Sequence, residues 1–387
     1  MRSQAQATTA ARGESKRLTL LIVLISLIVS APVQAARAPR APRSIDAVRV
    51  GPGVIGVEWD TRRVKADGFI VYRALKRKGP YKTVARRPAD RPYYLDAAVK
   101  PDTLYFYKVS AVSGKRASSR TGPTCAWDSD QIVPNGSFEL DRPGPIEVPN
   151  CPLWWSRRAY NARTPLYVRR DGPEGEQCVE IQAANNSVSG GLRSMLIPMI
   201  EGEIWYEEAW ARHLPGARPL IGYCCFAENR KPVRGEGIPG FKKPYDYVQA
   251  GPPEPDGWAR YSGKFTALPG TCYVQIWLIG FRARNTFWLD GAKMVDLTAK
   301  RVREFDLASV KTAAAELFGS RSAEAQMLTQ PLRKLEQEID TVRARVKSEI
   351  ARLSPLEYRR LLVELDRKQT QYDEQVWKAK TMALLID

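Results

Sequence analysis

Side chains able to do acid–base or nucleophilic chemistry are scarce in this sequence. Its 387 residues hold one histidine, His213, with no G-x-S-x-G segment around it and no glycine-rich phosphate loop. A Ser-His-Asp or Cys-His arrangement would have to be built on His213 without a supporting motif. Glycoside hydrolysis needs only two carboxylates, and Glu207-Glu208 supplies a pair. Neighbours on a strand point to opposite faces, so these two cannot serve one substrate. The six cysteines include no C-x-x-C pair, which speaks against zinc. The expected class is a binder, not an enzyme.

Aromatic rings interleaved with hydrogen-bonding groups are abundant. Between Trp127 and Trp288 lie eight of the ten tryptophans. In 273–278, Val274, Ile276 and Leu278 make one apolar face, so Tyr273, Gln275 and Trp277 point the other way. In 205–212 the set Tyr206, Glu208, Trp210 and Arg212 separates likewise from Trp205, Glu207, Ala209 and Ala211. Indole and phenol rings stack on the C–H face of a pyranose, while Glu208, Gln275 and Arg212 can hydrogen-bond its hydroxyls in a fork. The competing reading keeps Trp210 and Trp277 in the core, where tryptophans mostly reside. A one-residue slip of the 205–212 strand would exchange its two sets.

The elements that must position these groups follow an N-terminal export signal. Arg2, Arg12, Lys16 and Arg17 precede an apolar stretch from Leu18 to Val29, and Val33-Gln34-Ala35 is a small-residue cleavage site. Twelve apolar-dominated residues fall short of the ~20 that span a bilayer. The expected location is secreted, periplasmic or cell-surface, with 1–35 as signal peptide and 36–43 as a Pro/Arg linker. From Ser44, short alternating strands separated by turn residues run to about 124. Trp59, the Gly68-Phe69-Ile70-Val71-Tyr72-Arg73 strand and Tyr105 within Leu104–Val112 resemble a fibronectin type III domain. The resemblance makes Trp59 the core tryptophan and ties the Tyr105 hydroxyl into a corner. Residues 36–124 carry 20 basic against 7 acidic residues, most of the excess behind the net charge of +18. Such a field attracts an anionic cell-surface polymer; the alternative is a merely solvated face. No nucleic acid partner is expected.

Residues 125–298 form the next unit. Asn135-Gly136-Ser137-Phe138-Glu139 opens it and Trp288-Leu289-Asp290 closes it, with Gly202 to Arg212 fitting a G-x-x-Y-x-x-x-x-W-x-R strand in between, Trp205 standing in the aromatic place. Together these resemble carbohydrate-binding modules with a galactose-binding-like jelly roll. The resemblance implies that both aromatic-polar sets share one concave sheet, with Tyr206, Trp210, Tyr273 and Trp277 as platform. It places Trp154, Trp155 and Trp258 in the core and sets Glu207 where the family has an apolar residue. It further implies a structural Ca²⁺ held near Glu139 and Asp290, an oxygen-only set that suits this ion. All six cysteines lie in 125–272, and in an exported chain three disulfides are expected there.

Past 299 the pattern turns helical. Leu332, Leu335, Ile339, Val342 and Val346 form a coiled-coil-like seam, and Ser354-Pro355-Leu356-Glu357 is a capping box that starts a second helix. The hairpin over 299–387 is structural, or it joins a protein partner or a second copy of the chain. The expected fold is mainly β, a fibronectin type III sandwich plus a jelly roll, with a C-terminal helical hairpin. The expected function is non-catalytic binding of a polysaccharide or glycan. The alternative is a structural surface protein whose jelly roll binds no glycan and whose helices mediate assembly.

Overall fold

A computed structural model describes residues 38–146, 151–157, 165–182, 190–234, 243–280, 285–305 and 323–386. The expected signal segment, 1–35, lies outside them. The first unit has strands β1 (Ile45–Gly51), β2 (Val54–Trp59), β3 (Gly68–Ala74) and β4 (Lys82–Pro88). These are followed by β5 (Tyr93–Asp96), β6 (Leu104–Ser113), β7 (Arg116–Ala117) and β8 (Thr124–Trp127). One sheet is ordered β1-β2-β5; the other is β4-β3-β6, with β7 and β8 both paired to β6. Ala47, Ile55, Val57, Trp59, Phe69, Val71, Tyr107 and Val109 fill the space between the sheets. The Tyr105 hydroxyl accepts the Lys100 N–H at 2.9 Å, closing the corner into β6. The last strand, β8, carries this unit to Trp127.

The second unit opens with β9 (Gly144–Ile146), β10 (Trp155–Arg157), β11 (Leu166–Arg169) and β12 (Cys178–Gln182). It continues through β13 (Gly190–Ser194), β14 (Ile197–Pro198), β15 (Ile204–His213) and β16 (Pro219–Phe226). Then come β17 (Tyr245–Tyr247), β18 (Gln249–Pro253), β19 (Ala259–Thr266), β20 (Tyr273–Gly280) and β21 (Thr286–Asp296). A seven-stranded antiparallel sheet has the order β18-β19-β15-β21-β12-β11-β9. A six-stranded sheet has the order β10-β13-β20-β16-β17, with β14 also on β20. Two such sheets face to face, joined by long crossings, make a jelly roll, and the chain as a whole is mainly β. The opening and closing motifs bracket this unit, and the two ends of the bracket meet in space. The Ala292 N–H donates to Gly136 O at 3.1 Å. A Cβ on Gly136 would come within 1.8 Å of Ala292 O, so only glycine allows this approach. Trp154, Trp155 and Trp258 are buried.

No disulfide joins the cysteines, and this corrects the expected framework. Cys125, Cys178, Cys224 and Cys225 are buried thiols, with Cys151 and Cys272 half-buried. Their placement explains it: Cys125 is on β8 of the first unit, Cys178 on the seven-stranded sheet, and Cys224 and Cys225 face opposite ways on the six-stranded one. Burial pushes the Cys178 thiol up to about 12, which keeps it protonated and unreactive.

Three helices follow β21: α1 (Leu297–Glu304), α2 (Ala323–Glu349) and α3 (Pro355–Ile386). Asp296 caps α1 by accepting the Ala299 N–H at 2.8 Å. The capping box forms at α3, where Ser354 N–H donates to Glu357 Oε2 at 2.7 Å and Glu357 N–H to Ser354 Oγ at 3.3 Å. The seam residues Leu332, Leu335, Ile339 and Val342 pack on Leu365, Tyr372 and Val376 of α3. The first turns of α3 do something else. Tyr358, Leu361 and Leu362 join the core shared with Val48, Val50 and Val54, so β1 and β2 are buried on both faces. Part of the partner expected for this hairpin is therefore the chain's own sandwiches.

Arg359 fastens that junction. It is fully buried; its Nε donates to Glu203 Oε1 at 3.0 Å and its Nη1 to Val50 O at 3.0 Å and to Asp296. Its guanidinium carbon lies over the Trp205 ring, 5.3 Å from the centroid. One side chain thus ties β1, β15, β21 and α3 together.

Candidate functional site

Strand alternation sorts β15 as expected. Trp205, Glu207, Ala209 and Ala211 are buried, and Tyr206, Glu208, Trp210 and Arg212 face outward from the seven-stranded sheet. On β20, Val274, Ile276 and Leu278 enter the same core, and Tyr273, Gln275 and Trp277 face outward from the six-stranded sheet. The two sets therefore sit on opposite outer faces with the core between them. This corrects the expected single platform. Alternation fixes which way a side chain points but not which sheet its strand joins. Here β15 pairs with β19 and β21, while β20 pairs with β13 and β16.

The face of the seven-stranded sheet carries a connected network. The Tyr206 hydroxyl donates to Glu208 Oε2 at 2.5 Å, and Glu208 also accepts from Arg260 and from Lys293 at 3.4 Å. Lys293 bridges to Glu174, whose Oε1 accepts the Trp210 indole N–H at 3.3 Å. The Arg212 guanidinium lies 5.0 Å from the Trp258 ring and 4.7 Å from the Trp288 ring, and it pairs with Asp171. Trp288 Nε1 donates to Glu180 Oε2 at 3.2 Å, and Glu180 takes a two-point bond from Arg169 at 2.9 and 3.0 Å. Burial alone would raise the Glu208 carboxyl, but hydrogen bonds from Arg260 and Tyr206 outweigh it and hold the group ionised below its usual range.

Trp288, Arg260, Lys293 and Glu174 belong to this face and were not among the expected ligand residues. Trp288 was legible, because it alternates with Phe287 and Leu289, both fully buried. The other three arrive from strands and a turn whose pairing is not local. The half-buried rings of Tyr206, Trp210 and Trp288 alternate here with cations and carboxylates, the arrangement that meets both the C–H face and the hydroxyls of a sugar. As a carboxylate pair for hydrolysis, Glu207 and Glu208 fail: the first is fully buried in the core, the second is covered on the opposite face of the sheet by the three donors Tyr206, Arg260 and Lys293.

On the opposite sheet the expected residues have different roles. Tyr273 is buried beneath the Arg230 guanidinium, 5.4 Å from its ring. Gln275 is buried too; its Nε2 donates to Ser194 O at 2.9 Å and its Oε1 accepts Trp277 Nε1 at 3.1 Å. It orients the Trp277 ring, and both ends of its buried amide are already engaged within the sheet. Of this set only Trp277 is half-buried at the surface.

Glu139 and Asp290, the expected metal residues, grip one turn from two sides. Glu139 Oε1 accepts the Glu176 and Gln177 N–H groups, each at 2.8 Å, and Oε2 accepts Gln177 Nε2 at 3.0 Å. Asp290 Oδ2 accepts the Glu174 N–H at 2.9 Å, while its Oδ1 is buried without a hydrogen-bond partner, as is Gln177 Oε1. Burial pushes the Asp290 carboxyl up to about 8, with the charges of Glu174 and Glu139 adding to it. Among the described residues no three His, Cys, Asp or Glu side chains cluster as metal ligands. Two carboxylates and the orphaned amide oxygen of Gln177 are nonetheless a donor set that a hard cation satisfies.

No family model and no curated protein matches this chain. Among solved structures, a xylan-binding CBM22-1 domain from Paenibacillus barcinonensis is 14% identical, over 42% of this chain and 92% of that one, with a TM-score of 0.29. Tailspike protein 4 of bacteriophage CBA120 is 11% identical over 43% of this chain and 21% of its own, with a TM-score of 0.31. A Fn3-like protein from Clostridium thermocellum is 28% identical over 23% of this chain and 92% of that one, with a TM-score of 0.22. Scores this low do not fix a fold; the strand pairing does.

Proposed function

We propose that this chain is a non-catalytic carbohydrate-binding protein whose glycan lies on the outer face of the seven-stranded sheet. The observation that supports it is the row Tyr206-Glu208-Trp210-Arg212 beside Trp288, rings and charged groups alternating across the outer face of one sheet. The first sandwich, with Trp59 buried and the Tyr105 corner bond, is read as a fibronectin type III spacer. Export belongs to the same reading and rests on the sequence of 1–35. A stacking tryptophan is the usual energetic anchor of such a site, contributing ≥2 kcal/mol. Calorimetry against a glycan panel should show Trp210→Ala binding weakened about thirtyfold or more, with the melting temperature nearly unchanged. Retained binding in this variant would remove the face from consideration.

Calcium is part of the proposal. Glu139 and Asp290 would hold it with backbone oxygens, and it would neutralise the buried Asp290 carboxylate. At ~100 times its dissociation constant the ion should add about 2.7 kcal/mol of stability. The melting temperature should rise with calcium in the wild type and not in Asp290→Asn. A wild-type curve indifferent to calcium and chelator would refute the site.

A further inference from the structure

The outer face of the six-stranded sheet carries a second aromatic surface, separate from the one above. The Trp277 and Tyr245 ring centroids are 5.5 Å apart, and those of Tyr245 and Tyr247 are 5.7 Å apart, so three rings form a shelf from β20 to the edge strand β17. Gln275 fixes the Trp277 ring by accepting its indole N–H. In the β13–β20 register Arg193 stands directly opposite Trp277, which puts both side chains on the same face, with Cβ atoms ~4.5–5.5 Å apart. The Arg193 Nε donates to Ser156 Oγ at 3.3 Å, and among the described residues no carboxylate pairs with this guanidinium. At the far end the Lys243 ammonium lies 5.7 Å from the Tyr245 ring. Asp246, between the two tyrosines on β17, alternates to the other face. Beyond Arg193 and Gln275 the surface opens into a cleft of about 920 Å³ between the two sandwiches, lined by Arg62 and Arg230 and also by Asp46 and Asp60.

We infer that this shelf binds a polysaccharide containing hexuronic acid. The pyranose ring stacks on Trp277, and its carboxylate receives the Arg193 guanidinium, whose planar fork matches a carboxylate with two parallel hydrogen bonds. A neutral sugar would leave that cation without a counter-charge. Two cations bracketing three rings suit an occasional carboxylate on a sugar chain. A single nucleic acid strand presents a phosphate at every step and is held by a continuous basic groove.

The test is titration of the full chain with tetramers of galacturonate and of mannuronate, their methyl esters, and an oligothymidylate. At least one acidic tetramer should bind ten times or more tighter than its ester. Arg193→Gln should bring the acid down to the level of the ester and leave the ester unchanged. Trp277→Ala should abolish binding of both; Tyr247→Ala, at the sheet edge where the fold is least exposed to disruption, should weaken both. Trp210→Ala should leave all of them unchanged, which keeps this site apart from the one on the other sheet. Equal affinity for acid and ester, binding of neither acid, or indifference to Arg193→Gln would overturn the inference. So would oligothymidylate competing at equal affinity. Loss in Trp210→Ala with retention in Trp277→Ala and Tyr247→Ala would overturn it while supporting the other face.

Discussion

Replacing Arg359 with alanine should destabilise the chain by about 3–5 kcal/mol, the range for breaking a buried ion pair from one side. The guanidinium is the counter-charge of Glu203 and Asp296, both buried. Burial keeps the Glu203 carboxyl raised, to about 7, even with Arg359 beside it. Without the arginine both acids would lose their partner, Trp205 would lose the cation over its ring, and Val50 O its donor. Because those groups belong to β1, β15, β21 and α3, the loss reaches all three parts of the chain. Arg359→Lys should fall between, since an ammonium keeps the charge but lacks the planar fork that reaches several acceptors. Denaturant unfolding decides: a midpoint for Arg359→Ala equal to that of the wild type would show that the junction does not depend on this side chain.

Glu207 should make the protein less stable as pH rises. It is fully buried, both carboxylate oxygens lack a hydrogen-bond partner, and burial pushes the carboxyl from its usual 4.5 up to about 8. Between those values the folded chain keeps a proton that the unfolded chain has released, so stability is complete below about pH 4.5 and falls as pH rises toward 8. The slope from this one group approaches ~1.4 kcal/mol per pH unit. Asp290, raised to about 8, and Glu58, raised to about 7, act in the same direction, so the contrast between variants isolates Glu207. Glu207→Met should unfold much like the wild type at pH 5 and be more stable by ~2–4 kcal/mol at pH 8, the size of a pKa shift of a few units. Parallel stability–pH curves for the two proteins would contradict this.

Local signals carried most of the architecture into the sequence. The Tyr105 corner, the Ser354–Glu357 capping box and the alternation of β15 and β20 each depend on residues within ten positions of one another. The bracket was legible as a motif, although its meaning, the contact of Gly136 with Ala292, is a matter of tertiary closure. The candidate site was only half legible. Alternation assigned Tyr206, Trp210 and Trp277 to outward faces, but sheet membership is set by pairing across dozens of residues, and it split the set in two. Gln275 and Tyr273 show a second limit: a polar or aromatic residue on an outward face can still be covered, by Arg230 and by the neighbouring strand. Six cysteines in an exported chain suggest disulfides by compartment and count, but their positions on different sheets show why count alone does not imply pairing.

Hydrogen–deuterium exchange of the full chain with and without a bound oligosaccharide tests the central claim most directly. A glycan on the seven-stranded sheet should slow exchange in peptides covering 206–212, 260–264 and 288–293, in the wild type and in Trp277→Ala alike. Protection confined to the first sandwich or to the helices, with the 206–212 peptide unaffected, would contradict it.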